Sequence, residues 1–372
     1  MNKENLSRII KLRHELHEFP ELSGQENMTK RRLMDFIESN TSLAVVDCGK
    51  YFYASRYIEG TKAIAFRADM DALPINENLE LEYASQNPGI SHKCGHDGHC
   101  ASLCGFALEL ENLPRKRSVY LIFQHAEETG QGGRECSKLL HERNIREIYA
   151  FHNWSGFPEK SIIIREGLCQ CCSAGLTIKF SGRTSHASEP EKGLNPAYII
   201  ADLINFINES NQSQKILCTI ININLGGNEK NFGISPGEGE ISLTLRAYTE
   251  SIMREFRNQV VNMAESLAKN SGFNFKCENF DYFPETVSES ESLKRVRRAA
   301  KNLNLKIINM SDAFRASEDF GWYTKQVPGA IFYIGNGINY PDIHTNNYDF
   351  NDDILEVASD MFTEIYLDSV IK

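Results

Sequence analysis

The pattern of apolar and polar positions predicts alternating helices and strands in the first half of the chain. Helical periodicity predicts four amphipathic helices, at Ile9–Phe19, Glu26–Ile37, Cys100–Leu113 and Gly133–Glu142. Continuous apolar runs predict three buried strands, at Ala63–Arg67, Ser118–Gln124 and Glu147–Phe151. Strands that alternate with helices favour an α/β domain whose mixed, mainly parallel sheet has helices on both faces.

The pattern changes over residues 174–284, where strands predominate. Four strands are predicted here, at Leu176–Phe180, Lys215–Leu225, Glu240–Tyr248 and Phe273–Phe280, and two helices at Asn195–Asn208 and Arg254–Ala268. Their order, β-α-β-β-α-β, is typical of a ferredoxin-like module. Since 372 residues suit two domains, we predict a discontinuous catalytic α/β domain of residues 1–173 and 285–372, interrupted by a ferredoxin-like α+β domain of residues 174–284.

Composition and charge argue against some classes of binding partner and indicate a cellular compartment. The formal net charge of -10 and the lack of a long basic block argue against nucleic acid. No apolar run approaches the roughly 20 residues that span a bilayer, and Met1–Arg13 lacks the apolar stretch of a secretory signal. We therefore expect a cytoplasmic protein without membrane contact. The ten cysteines are dispersed and are interpreted as reduced.

One group of cysteines is denser, and contains Cys169, Cys171 and Cys172. It could indicate a metal or redox site, but it lacks a second pair at zinc-site spacing. The structural interpretation, reduced thiols in a core, is therefore favoured.

Polar side chains follow each predicted strand of the α/β domain. In order, they are Asp69 and Asp71; His125, Glu127 and Glu128; His152; and, beyond a fourth strand at Ala330–Ile334, His344. In open α/β sheets ligands bind beyond the carboxyl ends of the strands. Four strand ends that meet at one edge would form a single active site.

The strongest chemical signal is the segment Ser91–His99, which holds three histidines, one thiol and one carboxylate. Imidazole and thiolate are good ligands for zinc, manganese, cobalt or nickel. A hydrogen-bonded loop could explain one histidine, but it does not readily explain the whole cluster. We favour metal binding.

Glu127 and Glu128 form a second signal. Adjacent side chains in an extended segment point in opposite directions, so one carboxylate could bind metal while the other takes a proton from water. The alternative is an acidic pair that opens a helix.

A third signal is His186, in the polar segment Ser181–Ser188. A catalytic triad with Ser185 or Ser188 is conceivable, but neither serine lies in a Gly-x-Ser-x-Gly turn. It also lacks the glycine-rich loops of nucleotide-binding proteins.

At these residues the sequence resembles the M20 metallopeptidase family, in its amidohydrolase branch of aminoacylases, hippurate hydrolases and auxin-conjugate hydrolases. The resemblance runs nearly end to end. Its motifs are Arg13-His14-x-x-His17-x-x-Pro20-Glu21, Arg67-Ala68-Asp69-Met70-Asp71-Ala72-Leu73-Pro74, His92-x-Cys94-Gly95-His96-Asp97-Gly98-His99, Ala126-Glu127-Glu128, His152, Gly182-x-x-Ser185-His186-Ala187-Ser188-x-Pro190, Ser317-Glu318-Asp319-Phe320 and His344. Two departures are His125, where the family usually has proline, and Gly233-Ile234-Ser235-Pro236 in place of Asn-Val-Ile-Pro.

The resemblance implies a set of roles. Two divalent ions per subunit (zinc, manganese, cobalt or nickel) would be held by Cys94, His96, Glu128, His152 and His344. Glu127 would be the general base and acid, and Asp71 would orient a ligand. His186 would stabilise the oxyanion, often in the partner subunit's site, while Arg246 and Asn231 would contact substrate. The inserted domain would act as a lid and form a homodimer.

Residues and resemblance together predict a metal-dependent amidohydrolase. The expected reaction is attack of metal-activated water on the amide bond of an N-acyl amino acid, such as an N-acetyl amino acid. The first alternative is a dipeptidase or carboxypeptidase of the same family. A second is a non-catalytic, dimeric metal-binding protein on this fold.

Overall fold

A computed structural model describes residues 1–210, 216–227 and 231–371. Its helices are α1 (Lys3–Glu18), α2 (Asn27–Asn40), α3 (His96–Leu110), α4 (Gly132–Cys136), α5 (Leu139–Glu142), α6 (Ala197–Ser210), α7 (Glu250–Ser271), α8 (Ser290–Asn302), α9 (Gly321–Thr324) and α10 (Leu355–Ile371). Its strands are β1 (Ala44–Asp47), β2 (Phe52–Arg56), β3 (Ala63–Asp69), β4 (Val119–Gln124), β5 (Ile145–Ser155), β6 (Ile162–Ile164), β7 (Gly167–Gln170), β8 (Cys172–Ser181), β9 (Ser185–His186), β10 (Ile216–Leu225), β11 (Ile234–Ser235), β12 (Glu238–Ala247), β13 (Asn274–Phe283), β14 (Thr286–Ser288), β15 (Ile307–Asn309) and β16 (Gly329–Gly337).

The chain forms two compact units. The first unit comprises Met1–Cys169, Thr286–Ala313 and the segment from Glu318 onward. The inserted unit comprises Gln170–Glu285 together with Phe314–Ser317. The units therefore change over at 169/170 and 285/286, and a short segment of the last third joins the inserted unit.

An eight-stranded sheet forms the centre of the first unit. Its strand order is β1-β2-β4-β3-β5-β16-β6-β15. The four adjacent strands β4, β3, β5 and β16 are mutually parallel, so their carboxyl ends lie along one edge. β1, β2 and β6 make the antiparallel pairs. The predicted α/β class with a mixed, mainly parallel sheet is confirmed.

Helix α3 is the most deeply buried helix element next to this sheet. Nearly all of its side chains are inaccessible to solvent, and after the polar first turn most of them are apolar, as expected for a buried helix. Phe66 of β3 contacts Phe106 of α3 and Phe362 of α10, with ring centroids 4.7 and 5.1 Å apart. This aromatic cluster fixes α3, and therefore its amino-terminal turn, relative to the sheet.

Most predicted elements of the first unit differ from the observed ones at their ends; α1, for example, begins at Lys3 rather than Ile9. α3 begins at His96 rather than Cys100, because Gly95 adopts φ +99° and starts the helix immediately after Cys94. The helix predicted at Gly133–Glu142 is two short helices, α4 and α5. β5 continues to Ser155, opposite Gly337 of β16, so His152 lies within the strand and not beyond it.

The inserted unit has a four-stranded antiparallel sheet in the order β10-β12-β8-β13. Helices α6 and α7 supply apolar side chains to its core. The chain order β8-α6-β10-β12-α7-β13 and this strand order are ferredoxin-like, which confirms the predicted module. Of its predicted strands, only the first residue of Lys215–Leu225 lies outside the described residues. Among the described residues of the whole chain, no helix combines the length and apolar character needed to cross a bilayer.

Candidate metal centre

A thiol and two imidazoles from different parts of the first unit meet at the carboxyl edge of the sheet. Cys94 Sγ lies 3.4 Å from His152 Nε2 and 3.3 Å from His344 Nε2. Cys94 immediately precedes α3, His152 lies on β5, and His344 follows β16. The backbone N–H of His344 donates to the Lys93 carbonyl at 2.6 Å, so the segment after β16 is tied directly to the segment that carries Cys94.

His96 and Glu128 complete the cluster. His96 Nε2 lies 3.7 Å from Glu128 Oε1, which is 3.6 Å from His344 Nε2. Glu127 Oε2 lies 4.0 Å from His96 Nε2. Among the described residues, the sets of possible ligand atoms that fall within 4.8 Å of one another include Cys94, His96 and His152; Cys94, Glu128 and His344; and His96, Glu127 and Glu128.

Hydrogen bonds at the far side of two rings fix which nitrogen faces the cluster. His152 Nδ1 lies 2.7 Å from the Asn153 carbonyl, and His96 Nδ1 lies 2.9 Å from the Asp71 carbonyl. Because a carbonyl can only accept, each Nδ1 carries a proton, and in the neutral ring Nε2 then presents a lone pair. This is the tautomer that a metal ligand requires.

Asp71 connects two of these groups. Its carboxylate lies 3.2 Å from His96 Nδ1 and accepts from the backbone N–H of Glu128 at 2.9 Å. Its Oδ2, which accepts from Glu128, also accepts from the Ser23 hydroxyl at 2.7 Å. Burial opposes ionisation, but these hydrogen bonds outweigh it and lower the pKa of Asp71. A charged Asp71 can thus orient His96 and Glu128 together.

Glu127 and Glu128 lie in a turn after β4, not in the extended segment that the sequence suggested. Ala126 adopts φ +47°, and Gly130 N–H donates to the Glu127 carbonyl at 2.7 Å. A left-handed conformation costs a residue with a Cβ roughly 1–2 kcal/mol, so contacts around the turn must stabilise it. The two carboxylates are separated by this turn rather than by strand alternation.

A buried ion cluster lies behind Glu127. The Arg67 guanidinium contacts Asp69, Glu318 and Asp319 at 2.6, 3.0 and 2.8 Å. The backbone N–H of Asp319 lies 3.4 Å from Glu127 Oε1. Burial, followed by the negative charges of Glu318 and Glu128, raises the pKa of Glu127. A raised pKa means that the carboxyl group holds a proton more strongly than an ordinary glutamate, which suits a group that takes up a proton and then donates it.

A second buried network holds the amino-terminal turn of α3, and motif matching alone did not reveal it. His17 of α1 donates to Asp97 at 2.8 Å and to Glu77 at 3.1 Å. Glu77 also accepts from Lys93, the residue before Cys94. Burial lowers the pKa of His17, but the hydrogen bonds to Asp97 and Glu77 outweigh burial and raise it to about 9. The protonated ring thus links α1 to both sides of Cys94.

His125 faces α4. Its Nε2 lies 3.1 Å from Glu135 and its Nδ1 3.9 Å from Cys136 Sγ. The ten cysteines lie within the described residues, and none of them forms a disulfide bond. Burial raises the pKa of the thiols of Cys169, Cys171 and Cys172, which makes them poor nucleophiles.

The candidate residues of the inserted unit have local partners. His186 is exposed, and its Nδ1 accepts from the backbone N–H of Ser188 at 3.1 Å. Exposed Asn231 accepts from Gly233 N–H at 3.0 Å. Half-buried Arg246 donates to the Ser317 hydroxyl at 2.6 Å. An accepting Nδ1 places the proton of neutral His186 on Nε2, where it can be donated.

The residues of the cluster in the first unit fit a metal centre. Among the described residues, His96 Nε2 and Glu128 Oε1 are buried without a hydrogen-bond partner. Unpaired buried polar atoms cost free energy, and metal ligation would satisfy both. One thiol, three imidazoles and a carboxylate suit zinc, manganese, cobalt or nickel.

The profile of Peptidase family M20/M25/M40 matches residues 65–368. The chain belongs to this family. It is therefore a metal-dependent hydrolase that acts on amide bonds, with the fold of a dinuclear metal-binding peptidase. The predicted family and enzyme class are confirmed.

Relatives of this M20 chain match along nearly its full length. The N-acetylcysteine deacetylase of Bacillus subtilis is 28% identical over 96% of this chain and 96% of its own. Thermostable carboxypeptidase 1 of Saccharolobus solfataricus is 27% identical over 94% and 92%. The Bacillus subtilis YXEP protein, described as a dinuclear metal-binding peptidase from the M20 family, superposes with a TM-score of 0.83 at 25% identity and 100% coverage of both chains.

Proposed function

We propose that this M20 enzyme hydrolyses the amide bond of small N-acyl amino acids. N-acetyl amino acids are the first candidates within this class. The observation that carries the proposal is the buried, unpartnered pair of His96 Nε2 and Glu128 Oε1 beside Glu127. The acyl preference is supported by the similarity to a deacetylase of an N-acetylated amino acid over nearly the whole chain.

We assign the metal site to five ligands, which are Cys94, His96, Glu128, His152 and His344. They would hold two divalent ions per subunit, chosen from zinc, manganese, cobalt and nickel. When bound, such ions polarise a carbonyl and lower the pKa of water. Asp71 keeps His96 in the ligating tautomer and fixes the Glu128 backbone through the same carboxylate.

Glu127 moves the proton in this proposal. Its carboxylate takes a proton from the attacking water and delivers it to the departing amine nitrogen. The raised pKa of Glu127 supports both steps, since the group must hold the proton between them.

The inserted domain, residues 174–284, supplies the remaining groups as a lid. His186 donates from Nε2 to the oxyanion that develops at the amide carbonyl. Arg246 binds the substrate carboxylate through its guanidinium, and Asn231 contacts the substrate. These three assignments rest on the family resemblance and on the hydrogen-bonding capacity described above.

We further propose that the inserted domain forms a homodimer through β10. β10 is an edge strand of the sheet, and its outward apolar side chains are exposed, namely Leu217, Ile220, Ile221, Ile223 and Leu225. An exposed apolar edge strand favours pairing with another chain. Sedimentation velocity should give a dimer, and Ile221→Lys with Ile223→Lys should give a monomer. A wild-type monomer at micromolar concentration would contradict the dimer.

A cytoplasmic location is also part of the proposal. The ten cysteines lie within the described residues and none of them forms a disulfide bond, including those that lie near one another in sequence, which supports a reducing compartment.

A dipeptidase or carboxypeptidase activity is the second candidate. It is favoured by the similarity to a thermostable carboxypeptidase over more than nine tenths of both chains. The two candidates differ in substrate chemistry, because a dipeptide carries a free α-amino group where an N-acyl amino acid carries a neutral acyl group.

The test is amine release from a panel of N-acetyl amino acids and dipeptides. Purified protein is stripped of metal and reloaded with manganese, zinc or cobalt. We expect metal-dependent release from N-acetyl amino acids, and loss of about 10²–10⁴-fold in Glu127→Gln. Turnover of dipeptides alone would replace the first candidate with the second.

Glu135→Gln is the matched control for Glu127→Gln. Glu135 lies on α4 and pairs with His125 and Lys50, at 3.1 Å each. It should retain wild-type turnover. Bound metal without turnover on any substrate would instead support a non-catalytic binding protein.

A further inference from the structure

Glu26 is a buried carboxylate to which the reaction proposed above assigns no role. It occupies the N-cap position of α2, yet its side chain makes no capping hydrogen bond to that helix. Instead, Glu26 Oε1 accepts from the backbone N–H of Ala126 at 2.7 Å and from that of Gly24 at 2.9 Å. An acidic cap normally stabilises its own helix. This one bonds to a residue 100 positions along the chain.

The bond to Ala126 lies at the left-handed residue of the turn that carries Glu127 and Glu128. Ala126 is buried and adopts φ +47°. Its carbonyl accepts from the N–H groups of Gln131 and Gly132 at 3.2 and 3.1 Å. Glu26 therefore binds the one remaining backbone polar group of Ala126, and both sides of the strained residue are fixed.

Close packing restricts the backbone path of this turn. A Cβ built on Gly132 would lie 1.6 Å from the His125 carbonyl oxygen, so the chain passes itself there at backbone contact. The Glu128 N–H is fixed separately, by Asp71. The bond from Ala126 is thus the link between the strained residue and a side chain outside the turn.

We propose that Glu26 is a positioning residue of the active site, which holds Ala126 in the left-handed conformation that directs Glu127 and Glu128 to their separate places. The inference rests on the proposed roles of Glu127 as general base and Glu128 as metal ligand. Glu26 acts on them through the backbone and touches neither substrate nor metal. Burial and the nearby Asp71 carboxylate raise the pKa of Glu26 to about 7, so an uncharged glutamine is a fair replacement.

The experiment compares Glu26→Ala, Glu26→Gln, Ala126→Gly and the double variant Glu26→Ala/Ala126→Gly in the full chain. We expect Glu26→Ala to lower kcat by about 10–100-fold with little change in KM. Glu26→Gln should stay close to wild type, because its amide oxygen can accept from Ala126. Ala126→Gly should restore most of the loss in the double variant, since glycine adopts positive φ without strain.

A spectroscopic readout separates this inference from the proposed reaction. In cobalt-loaded Glu26→Ala, displacement of Glu128 should change the visible absorption of the cobalt ion. Glu26→Gln and the double variant Glu26→Ala/Ala126→Gly should both show the wild-type spectrum. If the wild-type protein hydrolyses none of the substrates, the proposed function fails while this spectrum still tests the positioning.

Glu289→Ala is the matched control for a structural effect. Glu289 is the N-cap of α8, and its carboxylate accepts from Ser292 N–H at 2.7 Å. It should lower thermal stability without changing kcat or the cobalt spectrum. The inference is overturned if Glu26→Ala keeps wild-type kcat and spectrum, if neither rescue works, or if Glu289→Ala produces the same losses.

Discussion

Most candidate residues of the first unit lie in a different environment from those of the inserted unit. Around Cys94, the groups are buried except for half-buried Glu128 and exposed His344. They are fixed by contacts between residues far apart in sequence, such as His344 with Lys93. In the inserted unit, His186 and Asn231 are exposed, and each bonds to a residue two positions away.

This difference separates two kinds of site residue. The buried groups are preorganised, because packing and hydrogen bonds fix their rotamers and tautomers before any ligand binds. The exposed groups gain a defined geometry only when substrate or a second copy of the chain contacts them. Substitutions in the two units should therefore affect different measurements.

The largest effect is expected from loss of a buried ligand. Cys94→Ser should remove at least one metal ion and lower kcat/KM by about 10³-fold or more, beyond the 10–100-fold typical of a residue that only orients a ligand. Metal content by mass spectrometry checks this. Cys100→Ser is the control and should keep its metal. The Cys100 thiol is not a proposed ligand, since it donates to the Asp69 carbonyl at 2.9 Å. Full metal content in Cys94→Ser would contradict the proposed set of ligands.

His186→Ala should lower kcat by about 10²–10³-fold, the usual cost of removing an oxyanion donor. Metal content and melting temperature should not change, because the side chain is exposed. Steady-state kinetics with metal analysis on the same sample provide the measurement. Ser188→Ala keeps the imidazole and should lose less. An unchanged kcat in His186→Ala would show that the oxyanion is stabilised elsewhere.

A rise in pH should lower the free energy of unfolding of the first unit, because His17 loses its proton. Its pKa is raised from 6.5 to about 9 in the fold, so its stabilisation is fully present below pH 6.5 and is lost as pH rises through 9. The shift corresponds to roughly 3 kcal/mol of unfolding free energy. Urea unfolding at pH 7 and pH 10 measures it. His17→Gln should show a smaller fall over this range, and an equal fall would assign the effect to other groups.

The smallest effect is expected at Arg246. Arg246→Ala should raise KM about tenfold with kcat nearly unchanged, because loss of a charged hydrogen bond to the substrate carboxylate weakens binding. Initial rates over a range of substrate concentrations measure both constants. For an amide substrate that lacks the carboxylate, the same substitution should leave KM and kcat unchanged. Equal effects on both substrates would assign Arg246 a structural role with Ser317.

Local patterns predicted much of the first unit's sheet and the chemistry at its edge. Apolar runs located β3, β4, β5 and β16, and the density of ligand residue types in Ser91–His99 indicated metal before any geometry was known. These signals are local, because a buried strand or a ligand cluster needs only a few consecutive residues.

The geometry behind those residues could not be predicted in the same way. In the sequence Glu26 is only the first residue of the predicted helix Glu26–Ile37, and the fold brings it to Ala126. The turn at Ala126 was predicted as extended, since its positive φ is imposed by Glu26 and Gly132 rather than by its own sequence. His17 gave a motif match, but its bonds to Asp97 and Glu77 depend on packing of α1.

The position of β16 in the sheet has a consequence for synthesis on the ribosome. Residues 329–337 form the strand between β5 and β6, and His344 follows them. A nascent chain therefore cannot close its central sheet until residue 337 has been translated, or gather all five candidate ligands until residue 344 has been translated. The four strands of the inserted sheet are complete by Phe283. Translation thus delivers the inserted sheet first and the catalytic centre last.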